Sequence, residues 1–256
     1  GLLLATVIVF VVREPRRRED MERGRPLGAE GPRRVSILGS IAYFVRSPVL
    51  VLNGVASGLI AFVGLAILNW APAYLQRVEG MSLEGLAVGY SLILGVSMAA
   101  GRGLGGREAE RFGASRPVLC ALFPAFAILL VIPFLFGLAA VRDWAAALAL
   151  VAAPILLPLI YLAPALALVQ NRLPNRYRAT GAALLLLLIN VIGLGGGPVF
   201  VGAISDWLSP RFGADALGMA LEWLTPFAGM AFCCQCAVAF YIRRDRHSFA
   251  SSNHRT

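Results

Sequence analysis

The sequence of 256 residues contains no lysine and has few charged side chains of any kind. Only 14% of its residues are charged and 58% are hydrophobic, against roughly 25% and 45–50% in an average soluble domain. Mean hydropathy is +0.74. A folded chain of this size could not hide so much apolar side chain from water. The composition therefore excludes a soluble globular protein and indicates an integral membrane protein.

Histidine is also scarce, because the only two, His247 and His254, fall within the last ten residues. The sequence has no HExxH or GxSxG motif and no acidic pair inside its apolar segments. Cys233, Cys234 and Cys236 lie within an apolar segment and lack a fourth ligand, so we interpret them as packing residues and not as a zinc site. The sequence thus predicts no catalytic residue, no metal site and no cofactor, and a protein that is not an enzyme.

Six long apolar segments dominate the chain, at residues 49–75, 83–105, 118–141, 144–169, 181–205 and 217–242. Each is long enough to cross a hydrocarbon core of about 30 Å as a helix. Helices are required because lipid offers no hydrogen-bond partner for an open backbone N–H or C=O group. The sequence therefore predicts an all-α integral membrane protein with six complete spans.

The flanking segments complete the domain organisation. Residues 1–12 form an apolar run too short to span a bilayer, and we interpret them as the end of a truncated transmembrane helix. Residues 13–48 are predicted to form a cytoplasmic linker with a short amphipathic segment near residues 37–44 that lies on the membrane. Residues 49–242 form the predicted six-helix transmembrane bundle, and residues 243–256 form a cytoplasmic tail.

The arginines predict the orientation of the bundle. All 23 basic residues are arginine, and 20 of them fall in one alternate set of connections, whereas the other set holds only Arg77, Arg142 and Arg211. The positive-inside rule places the first set, and with it the C-terminus, on the cytoplasmic side of the cell (inner) membrane. Long apolar segments separate the arginines, which argues against a nucleic-acid surface.

Several polar side chains lie inside the predicted spans, where an unpaired polar group is costly. Each either bonds across helices or faces a water-filled path, and both interpretations stay open. Five of them are candidate substrate-path residues: Asn53, Asn69, Tyr90, Tyr161 and Asn190. Two ionisable residues, Arg102 and Glu222, lie toward span ends, and we interpret them as side chains that reach to an interface.

Two further patterns are typical of membrane transport proteins. Pro154, Pro158 and Pro164 occur in one predicted span, which favours a bendable helix. In the next span, Gly193 and Gly197 have GxxxG spacing and Pro198 follows directly. Small residues allow two helices to approach closely and proline removes one backbone hydrogen bond, so this helix is predicted to be kinked and tightly packed.

A charged segment follows the second span and reads Gly106-Arg107-Glu108-Ala109-Glu110-Arg111-Phe112-Gly113. We expect it to form a tight cytoplasmic turn, because glycines permit a sharp reversal and the charges can stay in water. Two interpretations remain open: a well-hydrated turn, or a charged latch that holds one helix bundle against another.

This segment resembles the loop motif G-x-L-A-D-R-x-G of the major facilitator superfamily in its second-half copy. Gly106, Ala109, Arg111 and Gly113 match, whereas Glu110 replaces the usual Asp and Glu108 replaces an apolar residue. The Gly193–Pro198 segment resembles the glycine–proline motif of the pseudo-equivalent first-bundle helix. Residues 178–182, 188–193, 201–206 and 211–217 are similar to the spinster-like branch.

The resemblance implies the six-helix C-terminal bundle of a transporter, plus the end of the preceding helix, whose partner is an N-terminal six-helix bundle. It implies transport of a small or amphipathic solute, with a small-molecule or lipid-like substrate, by alternating access in the lipid bilayer. A non-transporting half-transporter, either a degenerate product or an oligomeric membrane scaffold, is the alternative. The substrate, the direction of transport and the coupling ion are not predicted.

Overall fold

The computed structural model describes residues 37–113 and 115–253, and all statements below concern these residues. The predicted truncated helix at residues 1–12 and the linker up to residue 36 lie outside them. Within the described part the regular structure is entirely helical, so the predicted all-α fold class is confirmed.

Eight helices follow one another along the chain. A short helix, α1, is followed by the six long antiparallel units of the bundle, the last of which is divided in two. The bounds are α1 Ile37–Arg46, α2 Pro48–Arg77, α3 Leu83–Phe112, α4 Pro117–Ala140, α5 Trp144–Arg172, α6 178–212, α7 Ala216–Glu222 and α8 Thr225–Asn253.

Five helical stretches are long and apolar enough to cross a membrane, and the last of them runs over the 71 residues Asn175–Asp245. A single helix of that length would extend roughly 106 Å, more than three times the hydrocarbon thickness. Gly213 breaks this stretch, because its backbone adopts a positive φ of 56° that reverses the chain. The stretch therefore supplies two of the six predicted spans, α6 and the α7–α8 pair.

Local changes of helix type interrupt the long helices near prolines. A 3₁₀ segment, Leu157–Tyr161, interrupts α5 at Pro158, and a π-helical segment, Asn190–Leu194, interrupts α6 just before Pro198. Residues 223 and 224 separate α7 from α8, because Pro226 lacks the N–H group that a continuous helix would need there. The bends predicted for the fourth and fifth spans remain predictions.

Helix α2 lies in the interior of the bundle and contacts α5, α6 and α8. Its contacts with α6 depend on glycine: a side chain at Gly193 would lie 2.5 Å from the Cβ of Ala61, and one at Gly197 would clash with the carbonyl oxygen of Phe62. The predicted close packing through Gly193 and Gly197 is thus observed, and α2 is the neighbour. The rings of Phe62 and Phe227 stack 4.6 Å apart and join α2 to α8.

The two ends of the bundle are held by polar contacts. At the arginine-rich end, defined here as residues 46–48, 113, 115–117, 172–178 and 243–245, Arg172 pairs with Asp245 at 2.6 Å. At the opposite end, Arg142 pairs with Asp215 at 2.8 Å, and the Tyr74 hydroxyl donates to the carbonyl oxygen of Leu138 at 2.7 Å.

Three predicted span ends are wrong. Helix α3 continues through Gly106, Glu110 and Arg111 to Phe112, so these residues are helical and only Gly113 belongs to the turn. Helix α6 continues past residue 205 to Phe212, and α8 continues past residue 242 to Asn253. Charged residues end the apolar part of a span but not the helix, because a helix of 30 residues reaches about 45 Å and enters the hydrated headgroup layer.

Candidate functional site

A cleft of about 90 Å³ lies between α2, α3 and α5 near the middle of α2. Its lining is apolar except for one guanidinium and one phenol, those of Arg102 and Tyr161. The apolar residues that complete the lining are Ile60, Ala61, Gly64, Leu65, Leu68, Ile155, Pro158, Leu159 and Leu162. Apolar walls with few polar groups are typical of a small-molecule site.

Glycines set the distances between the three walls. A side chain at Gly64 would lie 2.7 Å from the Cβ of Pro158, so α2 and α5 meet directly beside the cleft. On α3, a side chain at Gly101 would lie 2.5 Å from the carbonyl oxygen of Leu156, and one at Gly105 would clash with that of Ile160. Leu156 directly precedes the 3₁₀ segment of α5 and Ile160 belongs to it, so the glycines of α3 pack directly against this segment.

Arg102 is the charged residue of the cleft. It lies ten residues before the end of α3, roughly 15 Å along the helix axis, and its side chain is exposed on the surface of this bundle. In the described part of the chain it forms no ion pair. A cation at such depth in a membrane protein is costly, which makes it a candidate for function and not for anchoring alone.

The five predicted path residues do not converge on one site. Tyr161 lines the cleft and is largely buried. Asn53 is fully buried, and its Nδ2 donates to the carbonyl oxygen of Ala165 at 3.2 Å, which joins α2 to α5. Its Oδ1 has no partner within the described residues. For Asn53, the geometry favours helix packing over a solvent-filled path.

The remaining three bond to backbone carbonyls. The Tyr90 hydroxyl donates across to the carbonyl oxygen of Leu68 at 3.0 Å, and thus supports the end of α2 that borders the cleft. Asn69 and Asn190 donate to carbonyl oxygens one turn earlier in their own helices, at 2.7 and 2.8 Å, and both stay exposed on the bundle surface. Their roles as path residues remain predictions.

Sequence reasoning did not identify Arg102 as part of a site, because its position suggested a side chain reaching to the interface. The signal that could have identified it is the presence of an ionisable group within a predicted span. The 3₁₀ segment at Leu157–Tyr161, which includes Tyr161 of the same cleft, has no local signature beyond Pro158.

The predicted loop motif forms the end of α3 and the turn that follows. Glu110 and Arg111 are exposed on the last helical turns, and the carbonyl oxygen of Gly113 accepts a hydrogen bond from Asn171 Nδ2 at 2.8 Å. Glu108 is 95% buried, and neither of its carboxyl oxygens has a partner among the described residues. The turn therefore ties α3 to α5, and Glu108 is the buried charged residue of the motif.

No group of three or more His, Cys, Asp or Glu side chains that could hold a metal occurs within residues 37–113 and 115–253. Cys120 is buried, whereas Cys233 is exposed on α8.

Comparison with known proteins gives the family. The sequence pattern of the Major Facilitator Superfamily matches residues 1–198. An MFS-type efflux pump of Mycolicibacterium smegmatis (strain ATCC 700084 / mc(2)155) is 31% identical over 203 residues, which are 78% of this chain and 47% of the pump. Protein spinster homolog 1 of Homo sapiens is 29% identical over 270 residues, covering 96% of this chain and 50% of that protein.

A solved structure has the same fold. It is a bacterial homologue of the human lysosomal transporter Spinster in an inward-facing, unoccupied conformation, with a TM-score of 0.76 at 22% identity. The match covers 96% of this chain and 58% of that chain. The chain spans about half the length of the curated relatives it matches.

The resemblance to the spinster-like branch, which the sequence predicted from residues 178–217, is confirmed by these similarities. The apolar helices and the family together make the protein a multi-pass membrane protein. Since the family pattern covers well over half of its residues, the chain belongs to the Major Facilitator Superfamily.

Proposed function

We propose that the protein containing this chain transports a small amphipathic solute by alternating access, and that the Arg102–Tyr161 cleft is this bundle's share of the solute path. The observation that carries the proposal is the Arg102 guanidinium, which has no ion-pair partner among the described residues and lies on an apolar cleft. An apolar wall accepts a hydrocarbon portion, and an unpaired cation accepts an acidic group. The relative named as an MFS-type efflux pump supports this function.

The helices around the cleft support movement as well as binding. Alternating access requires bundles that rock about a site near the bilayer midplane. Helix α5 changes to a 3₁₀ segment at Leu157–Tyr161, where its backbone hydrogen bonding differs from that of the flanking α-helix. We assign this segment as the hinge of the cleft wall, and a second six-helix bundle as the partner that closes the exposed side of Arg102.

The proposed orientation places the arginine-rich end in the cytoplasm and the protein in the inner membrane. Arg77 and Arg116 are both exposed and lie at opposite ends of the bundle. Arg116→Cys and Arg77→Cys therefore form a matched pair for labelling with a membrane-impermeant thiol reagent in intact cells. We expect labelling at position 77 only, and labelling at position 116 only would reverse the orientation.

Transport is tested in proteoliposomes with a fluorescent fatty acid and its neutral primary amide as paired solutes. We expect Arg102→Gln to lower uptake of the acid by at least about 10-fold, since a charge-assisted bond contributes roughly 1.5–3 kcal/mol. Uptake of the amide should change little, and Arg102→Lys should retain part of the activity toward the acid. Arg116→Gln, which removes an exposed arginine outside the cleft, is the control. Equal loss for both solutes would contradict a role in recognising the acid, and no transport by the parent protein would contradict the function itself.

A further inference from the structure

Helix α1, the predicted amphipathic segment, is present as Ile37–Arg46 and contacts α2 and α6. Only Ser40 and Phe44, one turn apart, are buried among its described side chains. Leu38, Ile41 and Val45 form a second stripe, of which Leu38 is 79% exposed and Val45 is 64% exposed. At about 100° per residue this apolar stripe points roughly 110° away from the side that meets the bundle. It is therefore not packed against the described part of the protein.

A third side of α1 borders an open cleft of about 550 Å³ at the arginine-rich end of the bundle. The cleft is lined by Gly39, Ala42, Tyr43, Arg46, Ser47 and Arg172. Arg172 of α5 uses one guanidinium nitrogen to pair with Asp245 of α8. Arg46 is exposed at the last turn of α1 and forms no ion pair within the described residues.

Aromatic contacts extend this basic cleft toward the start of α6. The rings of Tyr43 and Tyr177 lie 6.0 Å apart, and the guanidinium of Arg176 lies 4.6 Å from the centre of the Tyr177 ring. Arg176 is exposed. The opening is thus lined by Tyr43, Arg46 and Arg172, and Tyr177 and Arg176 lie next to it through the Tyr43 ring. Basic and aromatic side chains beside an apolar stripe are the arrangement that a headgroup with attached acyl chains requires.

We propose that α1, the cleft of Arg46 and Arg172, and the adjacent Arg176 form a binding site for an anionic phospholipid of the membrane leaflet that adjoins the arginine-rich end. The lipid phosphate lies between Arg46 and Arg172, and its acyl chains lie along Leu38, Ile41 and Val45. This site is separate from the Arg102 cleft, and it rests on the proposed function only for its orientation, because anionic lipids enrich the cytoplasmic leaflet. The shape of α1, with its apolar stripe beside its basic side, favours a lipid over a soluble anion.

The test is lipid retention measured by native mass spectrometry of the full protein in mild detergent. The probes are phosphatidylglycerol and phosphatidylcholine with the same acyl chains. We expect preferential retention of phosphatidylglycerol, and about a five-fold weaker retention of that lipid in Arg46→Gln, the effect of one arginine near an anionic surface. Arg116→Gln, another exposed arginine at the same end, should retain the parent preference. Leu38→Gln should weaken retention of both lipids.

Each outcome decides the proposal. Equal retention of the two lipids, or equal loss in Arg46→Gln and Arg116→Gln, would overturn it. Displacement of phosphatidylglycerol by inorganic phosphate at the same concentration would show a soluble-anion site and would also overturn it. Because the substitutions are at exposed positions, unchanged thermal unfolding of each variant separates lost binding from lost folding. The measurement uses no transport substrate, so the lipid retention can be interpreted even if the proposed transport function is wrong.

Discussion

The indole nitrogen of Trp70 donates a hydrogen bond to the carbonyl oxygen of Pro198, with Nε1 and O 2.8 Å apart. The two residues are 128 positions apart in sequence and join the last third of the bundle's central helix, α2, to α6. The N–H group that Pro198 lacks would have bonded the carbonyl oxygen of Leu194, one turn earlier, whereas the Pro198 carbonyl lies inside the helix that continues to Phe212. The bond from Trp70 is therefore an additional polar contact that fixes α2 against α6.

Trp70→Phe should destabilise the protein by about 1 kcal/mol beyond the loss of ring contact, because it removes this donor. The measurement is thermal unfolding in detergent. Trp144→Phe is the matched control, because Trp144 is exposed at the start of α5. An equal shift in both variants would show that the hydrogen bond adds nothing.

Gly105 and Gly106 are adjacent residues in α3 with opposite surroundings. A side chain at Gly105 would clash with the carbonyl oxygen of Ile160, whereas nothing lies within 4 Å of one at Gly106. We expect Gly105→Ala to cost about 1–3 kcal/mol by overpacking. Gly106→Ala should be neutral or slightly stabilising, because alanine favours the helix by about 1 kcal/mol.

The stability of both variants is measured by thermal unfolding and by the yield of monodisperse protein. If Gly106→Ala were the more harmful, the residue would belong to a turn, as the sequence predicts, and not to a helix.

Glu108→Leu should raise stability by about 1–3 kcal/mol, since it removes a buried polar group without partners and replaces it with an apolar side chain. Thermal unfolding measures this change. Glu110→Leu, two residues along on the exposed side, should change stability by no more than about 0.5 kcal/mol. A loss of stability in Glu108→Leu would mean that Glu108 has a partner in the folded membrane-embedded protein.

The ion pair of Arg142 and Asp215 should tolerate alkaline pH. The hydrogen bond from Arg142 to Asp215 raises the pKa of the Arg142 guanidinium above its usual range. Because the pKa of the Arg142 guanidinium is raised, the ion pair contributes its full stability at any pH below the usual pKa of arginine. That contribution is lost only as the pH rises through the raised pKa. Between neutral and moderately alkaline pH, parent and Arg142→Gln should therefore show the same pH dependence of unfolding. A divergence that starts near neutral pH would contradict this pairing.

The spans could be predicted from sequence because lipid offers no hydrogen-bond partner to a backbone N–H or C=O group, so a spanning segment must be helical. An apolar run of sufficient length identifies such a segment directly. The predicted ends were wrong for the second, fifth and sixth spans, whose helices continue to Phe112, Phe212 and Asn253. Glycine and charge mark the limit of the hydrocarbon layer, but the hydrogen bonds that continue a helix depend on backbone geometry and not on side-chain polarity. Gly193 and Gly197 were predicted correctly as packing residues, since their spacing alone puts them on one face.

The cleft could not be predicted in the same way. Arg102 and Tyr161 are 59 positions apart, and they meet because glycines on α2 and α3 allow both helices to pack closely against residues 156–160 of α5. Polarity alone did not distinguish Tyr161, which lines the cleft, from Asn53, which bonds Ala165. Telling them apart requires knowing which face of α2 meets α5, and the sequence of α2 is apolar on all sides.

The buried position of α2 has a consequence for how the protein is made. It precedes the five other units of the bundle in the chain, yet Asn53 bonds residue 165, Trp70 bonds residue 198 and Phe62 stacks on residue 227. At synthesis rates of about 5–20 residues per second, α2 waits roughly 6–20 s for the first of these partners. During that interval the amide of Asn53 faces lipid or the insertion machinery. Release of the nascent chain from that machinery should therefore follow the emergence of α5, and assembly should proceed inward from the later helices onto the first.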